Sequence, residues 1–147
     1  MRNKTILLVE DNLQDEMLIL RALNKVNIAN RIDVIRDGQQ AVDFLLNRGA
    51  YLQSQLSELP MVVLLDIGLP KLSGLEVLKI IRTNWRTRLL PVVVLTSSDE
   101  ERDRQRSYEI GANSFVRKPL DFVELADTVS RLSIYWLSIN EPPENSP

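Results

Sequence analysis

Short, largely apolar runs alternate with helix-forming segments along almost the whole of this 147-residue chain. The runs occupy residues 6–9, 32–35, 61–65, 91–95 and 114–116. Continuous apolar runs of this length predict strands that are buried on both faces, and such strands are typical of parallel sheets covered by helices. Between the runs, apolar residues recur at helical spacing. The pattern therefore predicts five consecutive strand–helix units.

Capping residues mark where several of the predicted helices begin. Ser73, with Glu76 three residues later, predicts a capping box at the start of the third helix. The fourth helix is expected over residues 98–110, because a glycine follows it. Asp121 is expected to cap a last helix that ends near Leu137.

Five strand–helix units predict an α/β fold with a doubly wound, five-stranded parallel sheet. Right-handed crossovers leave few arrangements, and the flavodoxin-like (βα)5 fold with strand order 2-1-3-4-5 suits five units. We expect one domain over residues 1–138, followed by a flexible C-terminal tail at 139–147. Residues 48–59 break the pattern and are expected to form a long loop or an extended helix end.

Composition excludes several classes of function. The chain has no cysteine and no histidine, so it cannot form disulfides, use thiolates or imidazoles, or carry a phosphohistidine of its own. Its net charge is -2 without a basic patch, so binding to nucleic acid is not expected. The longest apolar run is far shorter than the roughly 20 residues that a membrane helix requires. We therefore expect a cytoplasmic protein that makes no contact with a membrane.

Acidic, hydroxyl and basic residues directly follow four of the predicted strands. Glu10 and Asp11 follow the first strand, Asp66 the third, Thr96 the fourth and Lys118 the fifth. In a sheet of this order the ligand site lies beyond the carboxyl ends of the strands, where the order reverses between strands 1 and 3. These side chains are therefore expected to meet at one rim of the sheet.

Three crowded carboxylates at this rim need positive charge nearby, since their mutual repulsion raises their pKa values. Mg2+ meets this need because it binds carboxylates together with waters and phosphate oxygens. With the Lys118 ammonium, it would balance the charges of Glu10, Asp11 and Asp66. Phosphorylation would then change Asp66 from -1 to about -2, and the cation, Lys118 and the Thr96 hydroxyl would bind the added oxygens.

Four short motifs carry a family resemblance. They read VEDN at 9–12, LDIGLP at 65–70, LTS at 95–97 and FVRKP at 115–119. In this order, each at a strand end, they closely resemble the response-regulator receiver domain of two-component signalling over nearly the whole chain. The resemblance implies that a sensor histidine kinase transfers a phosphoryl group to Asp66. It also implies a switch rather than an enzyme, apart from slow self-dephosphorylation.

The resemblance implies a ligand set for the metal. Mg2+ would be bound by Asp11, Asp66 and the Gly68 carbonyl, while Glu10 would act through a water. Gly68 lacks the side chain that many family members carry over the phosphoryl group. Together with Ser98, it should alter the access of hydrolytic water, which leaves the lifetime of the phosphoryl group open.

The resemblance also implies how the signal would leave the site. Thr96 and Lys118 would contact the phosphoryl group, and Phe115 would rotate inward when Thr96 moves. The signal would be a conformational change of the fourth helix, the fifth strand and the fifth helix. The bond between Lys118 and Pro119 would be cis, as is usual in the family.

Two features resemble a narrower group, the single-domain regulators that partner phytochromes or related sensor kinases. The stretch at residues 49–59 is longer than usual, and residues 93–98 read VVLTSS. After the last helix only residues 140–147 follow, so we expect a stand-alone regulator. The identity of the kinase, the pathway and the downstream target stay open.

Each motif also has a plain structural interpretation. Glu10 and Asp11 could cap the first helix, Lys118 could be a surface lysine, and Phe115 could be ordinary core. The very polar fourth helix could be merely solvated, or it could be a mobile element suited to switching. The coincidence of four motifs at one rim favours the functional interpretation.

Three rival functions are weighed against the receiver. An FMN-binding electron carrier of the same fold needs a phosphate loop rich in glycine and hydroxyl residues, whereas residues 10–15 carry three acids. A degenerate receiver that only binds partners would lack chemical residues that are present here. A phosphatase with an aspartyl-phosphate intermediate needs a second acid two residues after the nucleophile, where this chain has Gly68.

The last helix carries more apolar residues than one buried face needs. One stripe at helical spacing comprises Phe122, Leu125, Val129, Leu132 and Trp136, and further apolar residues lie beyond it. Such a surplus often marks an association surface. We therefore expect a homodimer that forms through the last helix and its surroundings.

Overall fold

Five parallel strands form the centre of the computed structural model, which describes residues 4–51 and 59–143. The strands are β1 (Thr5–Val9), β2 (Arg31–Ile35), β3 (Val62–Leu65), β4 (Val92–Thr96) and β5 (Ser114–Arg117). Their order is β2-β1-β3-β4-β5, and every neighbouring pair is parallel. The predicted fold class and strand order are confirmed.

Five helices connect and cover these strands. They are α1 (Leu13–Val26), α2 (Gly38–Leu46), α3 (Gly74–Thr83), α4 (Glu101–Ile110) and α5 (Phe122–Ile134). The predicted caps of α3 and α5 are confirmed, because Ser73 Oγ accepts from the Glu76 N–H and Asp121 from the Glu124 N–H. Side-chain oxygens that bind free N–H groups in this way stabilise a helix start.

The central strands alternate side chains between two cores, which explains why the apolar runs are unbroken. Leu7, Val63 and Leu65 point to the core covered by α2 and α3. Leu8 and Leu64 point to the opposite core, covered by α1 and α5. Strands buried on both faces lose water from every side chain, which stabilises the sheet by roughly 25 cal/mol for each square ångström of apolar surface removed from water.

The predicted start of α4 is wrong, and the last helix changes its form before its predicted end near Leu137. Helix α4 begins at Glu101 rather than at Ser98, because Ser98 Oγ accepts from the Glu100 N–H in a local turn and donates to Asp103. Helix α5 ends at Ile134 and continues as a π-helical turn over Tyr135–Ile139. This turn places Leu137 in the core beneath β1 and β3.

The predicted irregular stretch at residues 48–59 lies partly outside the described residues. Its described part contains a 3-10 turn at Gly49–Tyr51. The Tyr51 ring packs edge-on against the ring of Phe44. The domain boundary near residue 138 stays a prediction, and residues 144–147 of the expected tail are not described. None of the helices within 4–51 and 59–143 has the length and hydropathy needed to cross a bilayer.

The predicted cis bond between Lys118 and Pro119 is wrong. Among the described residues no peptide bond is cis. The trans form is intrinsically favoured by about 0.5–1 kcal/mol before proline. From this trans backbone the Lys118 side chain still reaches Glu10 and Asp66.

Candidate functional site

The register of the sheet brings the ends of four strands together at one rim. Val9, the last residue of β1, pairs with the last residue of β3, which places Glu10 and Asp66 side by side. The Asp66 N–H donates to the Val9 carbonyl at 3.1 Å, and the Lys118 N–H donates to the Thr96 carbonyl at 2.7 Å. These backbone bonds position the predicted site residues at the carboxyl end of the sheet.

The buried Lys118 ammonium lies among three carboxylates. Its Nζ lies 2.6 Å from Glu10 Oε1, 2.9 Å from Asp15 Oδ2 and 3.0 Å from Asp66 Oδ2. Glu10 and Lys118 are almost fully shielded from solvent, so their attraction is screened less than that of a surface pair. The predicted meeting of Glu10, Asp66 and Lys118 is therefore present in the structure.

Asp15 is a part of this cluster that sequence reasoning did not assign. In the sequence it is one of three acids that follow the first strand. Its place in the first turn of α1, three residues after the Asn12 cap, points it back towards the rim. The rim therefore holds four carboxylates rather than three, and one bound Mg2+ with Lys118 would leave it with one net negative charge.

Asp66 is held as a carboxylate by three donors. Thr96 Oγ1 and the Gly68 N–H each donate to Oδ1 at 3.0 Å, and Lys118 Nζ donates to Oδ2. Burial alone would raise the pKa of Asp66, but the Gly68 hydrogen bond, the Lys118 charge and the Thr96 hydroxyl together lower it. Asp66 is therefore ionised at neutral pH, as a nucleophile must be.

Glu10 and Lys118 respond to burial in opposite ways. Burial raises the pKa of Glu10 to about 7, with a further contribution from the charge of Asp66, while the hydrogen bond from Lys118 opposes the rise. Burial lowers the pKa of Lys118, but its hydrogen bonds with Glu10 and Asp15 and the charge of Asp66 outweigh that effect and raise it above its usual value. Lys118 therefore stays protonated.

The acidic side of the rim fits a hard cation. One carboxylate oxygen from each of Glu10, Asp11 and Asp66 lies within 4.8 Å of the others. Oxygen ligands at this spacing suit a small divalent ion that keeps several of its waters. Asp11 is exposed, so it can complete the coordination from the solvent side. The Gly68 carbonyl stays a prediction as a ligand.

A cleft of about 500 Å3 opens beside Asp66. It is lined by the loop after β3, the start of α3, the segment after β4 and the first turn of α4, and the lining residues include Gly68, Ser98 and Asp103. A Cβ added at Gly68 would lie 3.8 Å from Asp66 Oδ1, so this position leaves the carboxylate open to the cleft. Sequence reasoning missed Asp103, because its place on the cleft wall depends on where α4 begins.

Phe115 lies half-buried on β5, where it pairs with Val94. Its N–H donates to the hydroxyl of Tyr108 on α4 at 3.2 Å, so the strand and the helix are directly linked. The proposed rotation of Phe115 stays a prediction.

Comparisons with known proteins agree with this geometry. The model of the response regulator receiver domain family matches residues 6–130. The probable methanogenesis regulatory protein FilR2 of Methanothrix harundinacea (strain 6Ac) is 45% identical over 139 residues, which cover 94% of this chain and 86% of that protein. Response regulator Rcp1 of Synechocystis sp. is 38% identical over 134 residues, covering 91% and 89%.

Solved structures of response regulators are also similar to this chain. The phosphorylated cyanobacterial phytochrome response regulator RcpA superposes with a TM-score of 0.90 at 34% identity, covering 97% of this chain and 100% of that one. The Mn(2+)-bound form of response regulator Rcp1 superposes with a TM-score of 0.88 at 37% identity, covering 96% and 99%.

Proposed function

This chain belongs to the response regulator receiver domain family, and we propose that it is a signalling switch that accepts a phosphoryl group on Asp66 in a Mg2+-dependent reaction. The observation that carries this proposal is the surroundings of the Asp66 carboxylate. An Asp66 oxygen lies near oxygens of Glu10 and Asp11, its Oδ2 lies 3.0 Å from Lys118 Nζ, and the residue opens onto a cleft. An ionised nucleophile beside a metal site and an ammonium needs little more than positioning for phosphoryl transfer.

The reaction transfers the group from a phosphohistidine of another protein. An Asp66 oxygen attacks the phosphorus, the bond from phosphorus to the imidazole nitrogen breaks, and the imidazole leaves. Mg2+ bound by Asp11, Asp66 and the Gly68 carbonyl, with Glu10 acting through water, would neutralise charge on the phosphoryl oxygens. Lys118 and the Thr96 hydroxyl, which already contact Asp66, would turn to those oxygens.

We propose a sensor histidine kinase as the donor, since this chain has no histidine. Exposed apolar side chains lie near the rim, in the first half of α1 and in the segment from β5 to the start of α5. They are Leu13, Met17, Leu120 and Phe122, each more than half exposed. An apolar patch around an anionic site suits a partner that must bring its phosphohistidine to Asp66. The likeness to the phytochrome response regulator RcpA supports a kinase of the phytochrome type.

We propose that the output is a movement of α4, β5 and α5, without catalytic turnover. Thr96 links Asp66 to α4, because its Oγ1 donates to Asp66 and accepts from the Ser98 N–H. The cap residue of α4, Glu100, makes no side-chain capping hydrogen bond. Ser98 connects Thr96 to the first turn of α4 by donating to Asp103. Phe115, on the strand next to Thr96, would rotate as Thr96 moves.

A homodimer through the end of α5 is part of the same proposal. Ile134, Tyr135 and Ile139 remain exposed on α5 and its π-helical turn although the other face of this element packs in the core. Sedimentation velocity should show a dimer that Ile139→Glu weakens. Leu89→Glu, which places the same charge on another exposed apolar residue, should leave it intact. Only monomer at high concentration, with and without phosphorylation, would refute the dimer.

The central experiment is phosphorylation followed by intact-mass analysis. Incubation with acetyl phosphate and Mg2+ should give one phosphoryl adduct, which should be absent in Asp66→Asn and strongly reduced in EDTA. A purified sensor kinase loaded with phosphate should give the same adduct faster. An adduct that persists in Asp66→Asn would move the acceptor elsewhere, and no adduct from either donor would refute the function.

A further inference from the structure

A carboxylate with no assigned role lies on the cleft wall. Asp103, in the first turn of α4, lines the same cleft as Asp66, Gly68 and Thr96. It is half-buried, and its Oδ2 accepts a 2.6 Å hydrogen bond from the Ser98 hydroxyl. Asp103 belongs neither to the group of possible metal ligands nor to the carboxylates around Lys118.

The charge of Asp103 is not compensated by a neighbouring cation. The three acids that precede it each pair with an arginine, and the pairs are Asp99–Arg117, Glu100–Arg102 and Glu101–Arg104. Within the described part of the chain no lysine or arginine forms an ion pair with Asp103. An acid without an ion-pair partner therefore lines the cleft onto which Asp66 opens.

One hydrogen bond, from the Ser98 hydroxyl, holds the Asp103 side chain, and two others order the backbone around it. The Ser107 hydroxyl donates to the Asp103 carbonyl at 2.7 Å within α4. The Ser98 N–H donates to Thr96 Oγ1, while its hydroxyl donates to Asp103. Because the Ser98 hydroxyl proton is already used, it cannot bind a phosphoryl oxygen while this contact lasts. Ser98 and Asp103 thus present an acceptor-rich wall to an anionic donor.

We propose that Asp103 is a specificity-determining residue that disfavours small, doubly charged phosphoryl donors at Asp66. The inference rests on the proposed function and deepens it. With acetyl phosphate, an Asp66 oxygen attacks phosphorus, the phosphorus–oxygen bond to the acetyl group breaks, and acetate leaves. With phosphoramidate, the phosphorus–nitrogen bond breaks and ammonia leaves. Acetyl phosphate carries two negative charges near neutral pH and phosphoramidate carries one, so repulsion by Asp103 acts more strongly on the former.

The test compares the rates at which both donors phosphorylate wild type, Asp103→Asn and Glu109→Gln. Glu109 is an exposed acid on the same helix, so its variant makes the same change in net charge away from the cleft. Asp103→Asn should increase the rate of phosphorylation by acetyl phosphate about threefold to tenfold. The rate with phosphoramidate should increase less. The gain should shrink at high salt, because ions screen the repulsion. Ser98→Ala, which removes the hydrogen bond to Asp103 but keeps its charge, should give a smaller gain than Asp103→Asn.

Three other results would overturn either the inference about Asp103 or the proposed function. If Asp103→Asn is no faster than Glu109→Gln with acetyl phosphate, the inference is overturned. Equal acceleration of both donors, independent of salt, would also overturn it, because a rearranged loop rather than a charge would then be the cause. If wild type forms no adduct on Asp66 with any donor, the proposed function itself has failed. Circular dichroism shows whether each variant is folded.

Discussion

Lys118 Nζ lies 2.9 Å from Asp15 Oδ2, so one buried ammonium ties the first turn of α1 to the end of β5. The same nitrogen also serves Glu10 and Asp66. Asp15 thus shares the ammonium with two carboxylates of the candidate metal site. It also adds a negative charge that attracts a divalent cation to the rim.

Replacing Asp15 by asparagine should weaken Mg2+ binding about threefold. The variant loses one negative charge near the site, and it leaves Lys118 free to pair more closely with Glu10 and Asp66. Titration calorimetry with Mg2+ measures the change. Asp127→Asn removes an equal charge from the exposed face of α5, where Asp127 pairs with Arg131, and should leave the affinity unchanged. Tighter Mg2+ binding to Asp15→Asn would contradict this account.

Lys118→Met should lower the free energy of unfolding by about 3 kcal/mol in EDTA. The change leaves Glu10 and Asp66, both buried, without their shared cation. Urea unfolding measures the loss, and Mg2+ should restore part of it because the metal replaces the missing charge. Lys71→Met is the matched control. Its side chain is 68% exposed and pairs loosely with Asp37, so it should cost less than about 1 kcal/mol. Equal losses would show that Lys118 has no special role.

The strand ends are the part of this site that sequence reasoning could predict. Glu10, Asp66, Thr96 and Lys118 each follow a recognisable strand. Parallel strands with right-handed crossovers have few possible orders. These orders alone predict that residues far apart in the chain lie at one rim of the sheet. The confirmed order and the contacts of Lys118 with Glu10 and Asp66 depend only on these rules.

Contacts that depend on side-chain direction and helix starts could not be predicted. The contact of Asp15 with Lys118 depends on the direction of α1 relative to β1 and on the conformation of the Lys118 side chain. Ser98 was expected to begin α4, but it lies before the helix and donates to Asp103, and both residues line the cleft. The isomer of the bond before Pro119 was also missed, because the expectation of cis came from the family resemblance and not from the intrinsic preference of the bond, which is for trans.

Gly74→Ala should destabilise the fold, whereas Gly68→Ala should not. A Cβ at Gly74 would lie 2.3 Å from the Asp66 carbonyl oxygen and 2.4 Å from Ile67 Cα, so α3 would have to shift. Such overpacking costs about 1–3 kcal/mol. At Gly68 the nearest atom is Asp66 Oδ1 at 3.8 Å, an ordinary contact. Thermal unfolding compares the two variants. A Gly68→Ala protein as unstable as Gly74→Ala would contradict the geometry of the cleft.

Thr96→Ala should separate phosphorylation of Asp66 from the response of α4. The variant removes the hydroxyl that donates to Asp66 Oδ1 and accepts from the Ser98 N–H, but it leaves Lys118 and the metal ligands in place. The adduct should therefore still form, at a rate reduced by about tenfold, because one hydrogen bond to a charged group is lost. Amide hydrogen exchange in α4 should then be the same before and after phosphorylation. Thr96→Ser keeps the hydroxyl and should keep both the rate and the change in exchange. If α4 in Thr96→Ala still responds as in the wild type, the link from Asp66 to α4 does not pass through Thr96.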